Sequence, residues 1–238
     1  MSAEHREDLR IINHSGEHLL TLINDILSMS KIEAGQVTLN PVSFDLPQLL
    51  NRLQEMLRFK AESKGLRFTV ICQPQVPPCL YGDGHKLRQV LINLLNNAIK
   101  FTGLGHVILR VELASAPALA PPGQTAPLML RFEVEDSGCG IAVEELDLLF
   151  DPFVQTSSGR LSQEGTGLGL PISRQFVQLM GGDLEVNSRV GVGSTFSFEI
   201  PLEVGDATTA EMTQPQPRAL ALAPTSPLSP ADCRRQLA

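Results

Sequence analysis

The amino-acid sequence predicts an α+β fold preceded by a long N-terminal helix. Residues 4–34 carry apolar side chains at three- and four-residue steps, no proline interrupts them, and Gly35 follows. Later segments switch between the two-residue period of strands and the 3.6-residue period of helices. At 238 residues, the chain has room for one domain with an appendage.

The long helix has a wide apolar stripe, which has two interpretations. The stripe consists of Leu9, Ile12, Gly16, Leu19, Leu20, Ile23, Ile26 and Leu27. Such a helix packs either on its own domain or in a bundle that two chains share. Its length and its clean end at Gly35 favour the shared bundle.

The remaining elements follow from periodicity and from the positions of Gly and Pro. Further helices are predicted at Leu46–Lys64, Asp83–Phe101, Val143–Leu149 and Leu168–Met180. Strands are predicted at Val37–Leu39, Leu66–Cys72, His106–Leu113, Leu128–Glu135, Leu184–Ser188 and Ser194–Pro201. Turns or loops are expected at Pro41–Pro47, at 114–127 and at 155–164, the last with the composition of a flexible lid. Residues 204–238 are rich in Pro, Ala, Ser and Thr, which is typical of a disordered tail or linker.

Composition excludes several classes of function. The formal net charge of −7 argues against a nucleic-acid surface, and the absence of Trp with a single Tyr argues against base stacking. The four cysteines form no CxxC pair, so a metal or disulfide framework is not expected. No apolar run reaches the ~18 residues of a membrane helix. We therefore expect a cytoplasmic location for this chain, while a membrane anchor elsewhere in a longer protein stays open.

One helix carries an unusual set of polar side chains. Asn93, Asn97 and Lys100 lie at four- and three-residue steps and therefore on one side of the helix at 83–101, with Asn96 nearby. Asn is a poor helix former, so this repetition indicates either a solvated surface or a binding function. An amide oxygen suits Mg2+, and a lysine one turn away suits a phosphate oxygen.

Two glycine loops point to a ligand. Asp136–Ile141 follows a strand, and its acidic residue with two glycines lets the backbone approach a flat ligand. Gly165–Leu170 opens a helix, where exposed N–H groups attract phosphate. One such loop is a weak signal, whereas two in this order are much stronger.

Residues 83–202 resemble the ATP-binding catalytic domain of sensor histidine kinases. This domain belongs to the superfamily of gyrase, Hsp90-type, histidine kinase and mismatch-repair ATPases. Asn93–Thr102 matches the asparagine box, and Asp136–Ile141 matches the first glycine box. Phe150–Phe153 matches the phenylalanine box, and Gly165–Leu170 matches the second glycine box.

The resemblance implies a two-layer α/β sandwich, with a mixed sheet on helices and ATP between the layers. It implies that Asn97 coordinates Mg2+, that Lys100 meets the phosphates, and that Asp136 accepts a hydrogen bond from the adenine amino group. Asn97 and Lys100 would thus be the catalytic residues, and Arg160 a lid contact to the γ-phosphate. The implied ATP-contacting set is Asn93, Asn97, Lys100, Phe101, Asp136, Gly138, Gly140, Ile141, Phe153, Gly165, Thr166, Gly167, Leu168, Gly169, Leu170 and Thr195.

The long helix resembles the second helix of the dimerisation and phosphotransfer hairpin of this family. We therefore expect residues 1–35 to form that helix with the first helix absent, 36–203 the catalytic domain, and 204–238 the tail. The family's phosphoacceptor histidine is followed by an acidic residue and, five positions on, usually by a proline. This pattern fits none of the histidines in the chain, which are His5, His14, His18, His85 and His106.

These expectations amount to a fragment of a longer kinase that binds ATP and Mg2+, forms a homodimer through its helix, and does not phosphorylate itself. The acceptor histidine would lie on the missing helix, and the phosphoryl group would then pass to a response-regulator aspartate. One alternative is a nucleotide-gated binding or scaffold module without phosphotransfer. Another is an ATPase of the chaperone or topoisomerase branch, which Asn93 disfavours because that branch places a water-activating glutamate there.

Overall fold

The computed structural model describes residues 3–114, 127–154 and 166–206. Its helices are α1 (Ala3–Glu33), α2 (Leu46–Ser63), α3 (Gly84–Phe101), α4 (Val143–Leu146) and α5 (Gly169–Leu179). Its strands are β1 (Val42–Asp45), β2 (Arg67–Cys72), β3 (Cys79–Gly82), β4 (His106–Leu113), β5 (Leu128–Asp136), β6 (Leu184–Arg189) and β7 (Gly193–Val204). The α+β class with a long N-terminal helix is thereby confirmed.

The strands of the described residues form one seven-stranded mixed sheet. Its order is β1-β3-β7-β5-β4-β2, and β6 also pairs with β7. The pairing of β2 with β4 is parallel, and the other pairings are antiparallel. The central strands β5 and β7 pair over nine residues, from Leu128 with Leu202 to Asp136 with Ser194.

The two faces of the sheet have different chemistry. On one face, α2, α3 and α5 cover an apolar core in which the rings of Phe132 and Phe198 stack with centroids 5.1 Å apart. The other face carries ion pairs, such as Arg110 with Glu133 at 2.8 Å and Arg131 with Glu199 at 3.1 Å. Strand alternation separates these two sets, and the result is the two-layer sandwich.

The start of α3 is tied to the segment that follows α1. Asp83 caps α3, because its Oδ1 accepts from the Lys86 backbone N–H at 3.0 Å. Its Oδ2 accepts from the Asn40 backbone N–H at 3.0 Å and from the Lys86 ammonium at 2.8 Å. That ammonium also donates to the Thr38 carbonyl at 2.8 Å. One buried carboxylate thus fixes residues 38–40 against the start of α3.

Helix α1 divides its surface between two environments. Met29 and Ile32, near its C-terminal end, pack on the apolar core. Leu19, Leu20, Ile23, Ile26 and Leu27 stay exposed. Packing on its own domain therefore accounts for part of the helix, and a bundle between chains remains a prediction for the exposed stripe. Among the described residues, no helix is long and apolar enough to cross a bilayer.

Several predicted boundaries were wrong. Val37–Leu39 forms no strand, and the nearby strand is β1, in the segment predicted to turn. Strand β3 was not predicted, and α4 ends at Leu146 rather than Leu149. The short strands β1 and β3 pair with each other, so they depend on contacts between distant segments rather than on a local pattern. The predicted lid at 155–164, most of the loop at 114–127 and the tail beyond residue 206 lie outside the described residues.

Candidate functional site

Three rows of side chains cross β5, β7 and β6 on the core face of the sheet. The pairing registers place them in successive rows: Phe132, Phe198 and Leu184; Val134, Phe196 and Val186; and Asp136, Ser194 and Ser188. The first two rows are apolar, whereas the third, called the polar row below, is not. The side chains on this face therefore change from apolar to hydrogen-bonding at the end of β5. A pocket that binds the polar edge of a ligand requires such a change.

Asp136 is the charged member of the polar row. Only 8% of its surface is exposed. This burial raises its pKa, while the backbone N–H groups of Gly138 and Ser194 act in the opposite direction. The Gly138 N–H lies 2.8 Å from Oδ1. Because a carboxylate has about four lone-pair positions, it keeps acceptor capacity for a ligand beyond these two donors.

Thr195, a member of the ATP-contacting set that the resemblance implies, does not join this row. The register pairs Thr195 with Glu135, whereas Ser194 pairs with Asp136. Since successive side chains of a strand point to opposite faces, Thr195 lies on the ion-paired face of the sheet. Ser194 and Ser188 were missed. Counting in steps of two from the core residues Phe198 and Phe196 would have identified Ser194.

The first glycine box joins α3 to β6. A Cβ on Gly138 would lie 2.6 Å from the Phe101 carbonyl oxygen and 2.8 Å from Asp136 Oδ1. Gly140 has φ +69°, and a Cβ there would collide with the Arg189 carbonyl. The Ile141 N–H donates to Ser188 Oγ at 2.8 Å. In this structure the glycines let protein backbone segments approach one another, which shapes the site before any ligand enters.

The second glycine box packs against the phenylalanine box and α3. Gly167 has φ +70°, and its carbonyl accepts from the Phe153 N–H at 3.1 Å. Gly169 lies directly against Asn93, whose Oδ1 a Cβ would strike. The Asn93 amide in turn donates to Ser173 Oγ of α5 at 2.9 Å. Gly165 and Arg160 lie outside the described residues.

The polar residues of α3 point to different neighbours. Asn96 accepts from the Lys60 ammonium at 2.8 Å and therefore faces α2. Asn93 faces α5, as described above. Asn97 and Lys100 follow one turn apart and are half-buried, and the Lys100 ammonium lies 5.0 Å from the centroid of the Phe101 ring. The asparagines of this box thus contact different parts of the structure. Asn97 and Lys100 lie near the C-terminal end of α3, which contacts the first glycine box.

The apolar members of the predicted set differ in accessibility. Leu168 is fully buried in the core, and its backbone N–H donates to the Thr166 hydroxyl at 3.1 Å. Ile141 and Leu170 are half-buried against that core. Phe153 is 67% exposed and has φ +65°. Thr166 is half-buried, and its hydroxyl contacts Asp25 of α1.

Acidic and metal-binding groups do not cluster around this site. In the described parts of the chain, no group of three or more His, Cys, Asp or Glu side chains is placed to hold a metal ion. The asparagine box itself offers a cation side-chain amide oxygens and no carboxylate. A cation here would need further ligands, which the phosphate groups of a nucleotide and water supply.

Comparison with known proteins shows which family the chain resembles. Residues 82–204 match the family described as Histidine kinase-, DNA gyrase B-, and HSP90-like ATPase. Hybrid signal transduction histidine kinase B of Dictyostelium discoideum is 41% identical over 210 residues, covering 88% of this chain and 10% of that protein. Sensor protein TorS of Escherichia coli K12 is 41% identical over 204 residues, covering 85% of this chain and 21% of that protein.

Solved structures show the same fold. Full-length ShkA in complex with AMPPNP aligns with a TM-score of 0.70 and 32% identity, covering 87% of this chain and 41% of that one. The catalytic domain of histidine kinase ThkA aligns with a TM-score of 0.54 and 27% identity, covering 68% of this chain and 97% of that one. The chain thus spans a small part of the curated relatives and nearly all of an isolated catalytic domain. It belongs to the Histidine kinase-, DNA gyrase B-, and HSP90-like ATPase family, and carries the catalytic domain of two-component sensor histidine kinases.

Proposed function

We propose that this chain binds ATP with Mg2+ and supplies the γ-phosphoryl group to a histidine of a longer sensor kinase. The phosphoryl group then passes to an aspartate in the receiver domain of a response regulator. The observation that carries the proposal is the buried Asp136 carboxylate, held by the Gly138 N–H at the end of β5 beside the C-terminal end of α3. The Asp136 carboxylate is thus held in place to accept a hydrogen bond from one edge of a base.

Asp136 selects adenine in this proposal. The exocyclic amino group of adenine donates a hydrogen bond to the carboxylate, whereas a purine with a carbonyl at that position presents an acceptor. An acceptor facing a buried carboxylate leaves both groups without a donor, which is costly. Gly138 permits this contact because any larger residue would push the loop away from Phe101 and Asp136.

The triphosphate lies along α3 and the second glycine box. The Lys100 ammonium offsets phosphate charge, and backbone N–H groups around Gly167 and Gly169 donate to phosphate oxygens. The Asn97 amide oxygen is a hard donor of the kind that Mg2+ prefers, and the nucleotide supplies the other oxygens. When bound, magnesium would supply charge neutralisation at the transferring phosphate, and the residues of the chain would mainly position the nucleotide.

The acceptor imidazole comes from a helix outside the catalytic domain. An in-line attack on the γ-phosphorus requires a histidine that is free to approach the site. Among the described side chains, His106 is engaged with Glu135 at 3.2 Å on the opposite face of the sheet. With γ-labelled ATP, we expect the chain alone to remain unlabelled.

We further infer three segments. Residues 1–35 form the second helix of a dimerisation hairpin and associate with a second copy, 36–203 form the catalytic domain, and 204–238 form a linker or tail. The contacts of Asp83 with Asn40 support the first boundary, because they join the chain after α1 to the catalytic domain.

A second candidate function is a nucleotide-gated module without phosphotransfer. The contact of Thr166 with Asp25 favours it, because it connects the glycine loop to α1. In that case ATP occupancy would change the position of the helix. Transfer of label from γ-labelled ATP to an added acceptor hairpin distinguishes the two, because only a kinase would transfer label.

Isothermal titration calorimetry with MgATP tests the proposed site. The wild-type chain is expected to bind, and Asn97→Ala to lose measurable binding. Asn96→Ala is the matched control, since it removes the same amide one position away, where the partner is Lys60 of α2. Unchanged affinity in Asn97→Ala would refute the site, and a wild-type chain that ignores ATP would refute the function.

A further inference from the structure

We propose that Ser188 is a positioning residue. It fixes which groups of the polar row donate hydrogen bonds and which accept them, and so strengthens the selection of adenine. The inference rests on the proposed function of Asp136. Ser188 belongs to β6 and to none of the four sequence motifs, and it reaches the site only through hydrogen bonds to its neighbours. Its role therefore follows from the tertiary structure.

One hydroxyl joins three parts of the site. Ser188 Oγ lies 2.8 Å from the Ile141 backbone nitrogen in the first glycine box. It lies 3.0 Å from the Gly193 carbonyl oxygen at the start of β7. It also lies 2.9 Å from Ser194 Oγ, the neighbour of Asp136 in the polar row. All three distances are within hydrogen-bond range.

Counting hydrogens assigns the direction of each bond. A serine hydroxyl has one hydrogen and two lone pairs. The Ile141 N–H can only donate, and the Gly193 carbonyl can only accept. The Ser188 hydroxyl therefore donates its hydrogen to the Gly193 carbonyl. One of its lone pairs accepts from the Ile141 N–H, and the second accepts from the Ser194 hydroxyl. The Ser194 hydroxyl is left with lone pairs alone for a ligand or a bridging water.

The consequence is a pair of adjacent acceptors. Asp136 and Ser194 are direct cross-strand neighbours, so both present acceptors on the same face. An amino group carries two hydrogens and fits two acceptors, directly or through water, whereas a carbonyl fits neither. Without the Ser188 hydroxyl, the Ser194 hydroxyl can rotate and donate its hydrogen to the ligand. The free-energy penalty for binding a purine with a carbonyl in place of the amino group then falls.

The test compares ATP with inosine triphosphate, which has an oxo group in place of the amino group, by calorimetry. In Ser188→Ala we expect the ratio of the two affinities to fall about fivefold, the equivalent of one neutral hydrogen bond. Ser188→Thr keeps the hydroxyl and is expected to keep the ratio. The control is Ser197→Ala on β7, because Ser197 is 6% exposed, faces the other side and contacts Arg131.

A double substitution distinguishes action through Ser194 from a general loosening of the loop. In a Ser194→Ala background, Ser188→Ala is expected to leave the ratio unchanged. If Ser188→Ala fails to fold by circular dichroism, Ser188→Cys replaces it and the same fivefold fall is expected. A folded variant that binds ATP with the wild-type ratio overturns the role of Ser188 alone. A wild-type chain that binds neither nucleotide overturns the proposed function, and this role with it.

Discussion

The Thr166 hydroxyl donates a hydrogen bond of 3.0 Å to the Asp25 carboxylate, joining the second glycine box to α1. The same hydroxyl accepts from the Leu168 N–H at 3.1 Å, which shapes the glycine loop. Burial raises the pKa of Asp25, and the hydrogen bond from Thr166 acts against that rise. The position of α1 and the geometry of the glycine loop are thus linked through one side chain.

Asp25→Ala is expected to loosen α1 from the catalytic domain. Loss of a hydrogen bond to a half-buried carboxylate removes roughly 1 kcal/mol of docking free energy, or about a fivefold change in the undocked population. Amide hydrogen exchange over residues 19–33 should accelerate accordingly. Asn24→Ala is the control, since Asn24 is an exposed neighbour on the same helix. Equal exchange rates in the two variants would contradict the link.

Asp83→Asn is expected to lower the free energy of unfolding by about 2 kcal/mol at neutral pH. The carboxylate accepts from Lys86 and Asn40 through two oxygens, and an amide offers only one. Chemical denaturation measures the loss. The control is Glu62→Gln, which breaks the exposed Arg58–Glu62 pair and should have no measurable effect.

The same carboxylate predicts a pH dependence. Burial pushes the pKa of Asp83 upwards, but hydrogen bonds from Asn40 and Lys86 outweigh it, and the pKa falls below 3.8. Its stabilising contribution is therefore complete above pH 3.8 and is lost as the pH falls through the lower folded-state value. The difference between wild type and Asp83→Asn should stay constant from neutral pH to about pH 4 and shrink in stronger acid. A difference that grows in acid would contradict this assignment.

A comparison of Gly140→Ala with Gly191→Ala separates two reasons why a position requires glycine, namely positive φ and close contact with other backbone atoms. Both positions have positive φ, but a Cβ on Gly140 would strike the Arg189 carbonyl, whereas one on Gly191 meets nothing within 4 Å. We expect Gly191→Ala to cost about 1 kcal/mol from backbone strain alone. Gly140→Ala should cost roughly 3 kcal/mol and also weaken ATP binding, because the first glycine box must move. If urea denaturation shows the same loss of unfolding free energy for both variants, the close contact of Gly140 with the Arg189 carbonyl is not the reason for glycine at that position.

The exposed stripe of α1 predicts self-association. Leu20 is 62% exposed and Leu27 is 53% exposed, and both lie on the apolar stripe of the same helix. The mass from light scattering should therefore rise with concentration in the wild type. Leu20→Glu combined with Leu27→Glu should hold the chain monomeric, while Asn24→Glu, at an exposed polar position outside the stripe, should not. A wild-type chain that stays monomeric throughout would contradict the prediction.

Local patterns predicted the long elements well and the short ones poorly. The apolar stripe of α3 predicted 83–101, and the structure has Gly84–Phe101. The strands β1 and β3 each have four residues, and Leu80 is the one buried residue among them, so no local period marks them. They form because they pair with each other, which only the folded chain can bring about.

The site shows the same division. The four motifs were recognisable because glycine, asparagine and aspartate stand where backbone approach and polar contact require them. The resemblance implied Thr195, but the motif alone does not say which of two neighbouring hydroxyls faces the core. The register of β7 against β5 decides that choice.

By itself, the sequence determined the fold class, the order of the long helices and strands, and the residues of the nucleotide motifs, because these depend on periodicity and on residue chemistry within short segments. The tertiary structure alone decided that Asp136, Ser194 and Ser188 form one row, and that Asp25 meets Thr166. These contacts join residues far apart in the chain. Their geometry depends on strand register and helix packing, and neither is encoded in any one segment.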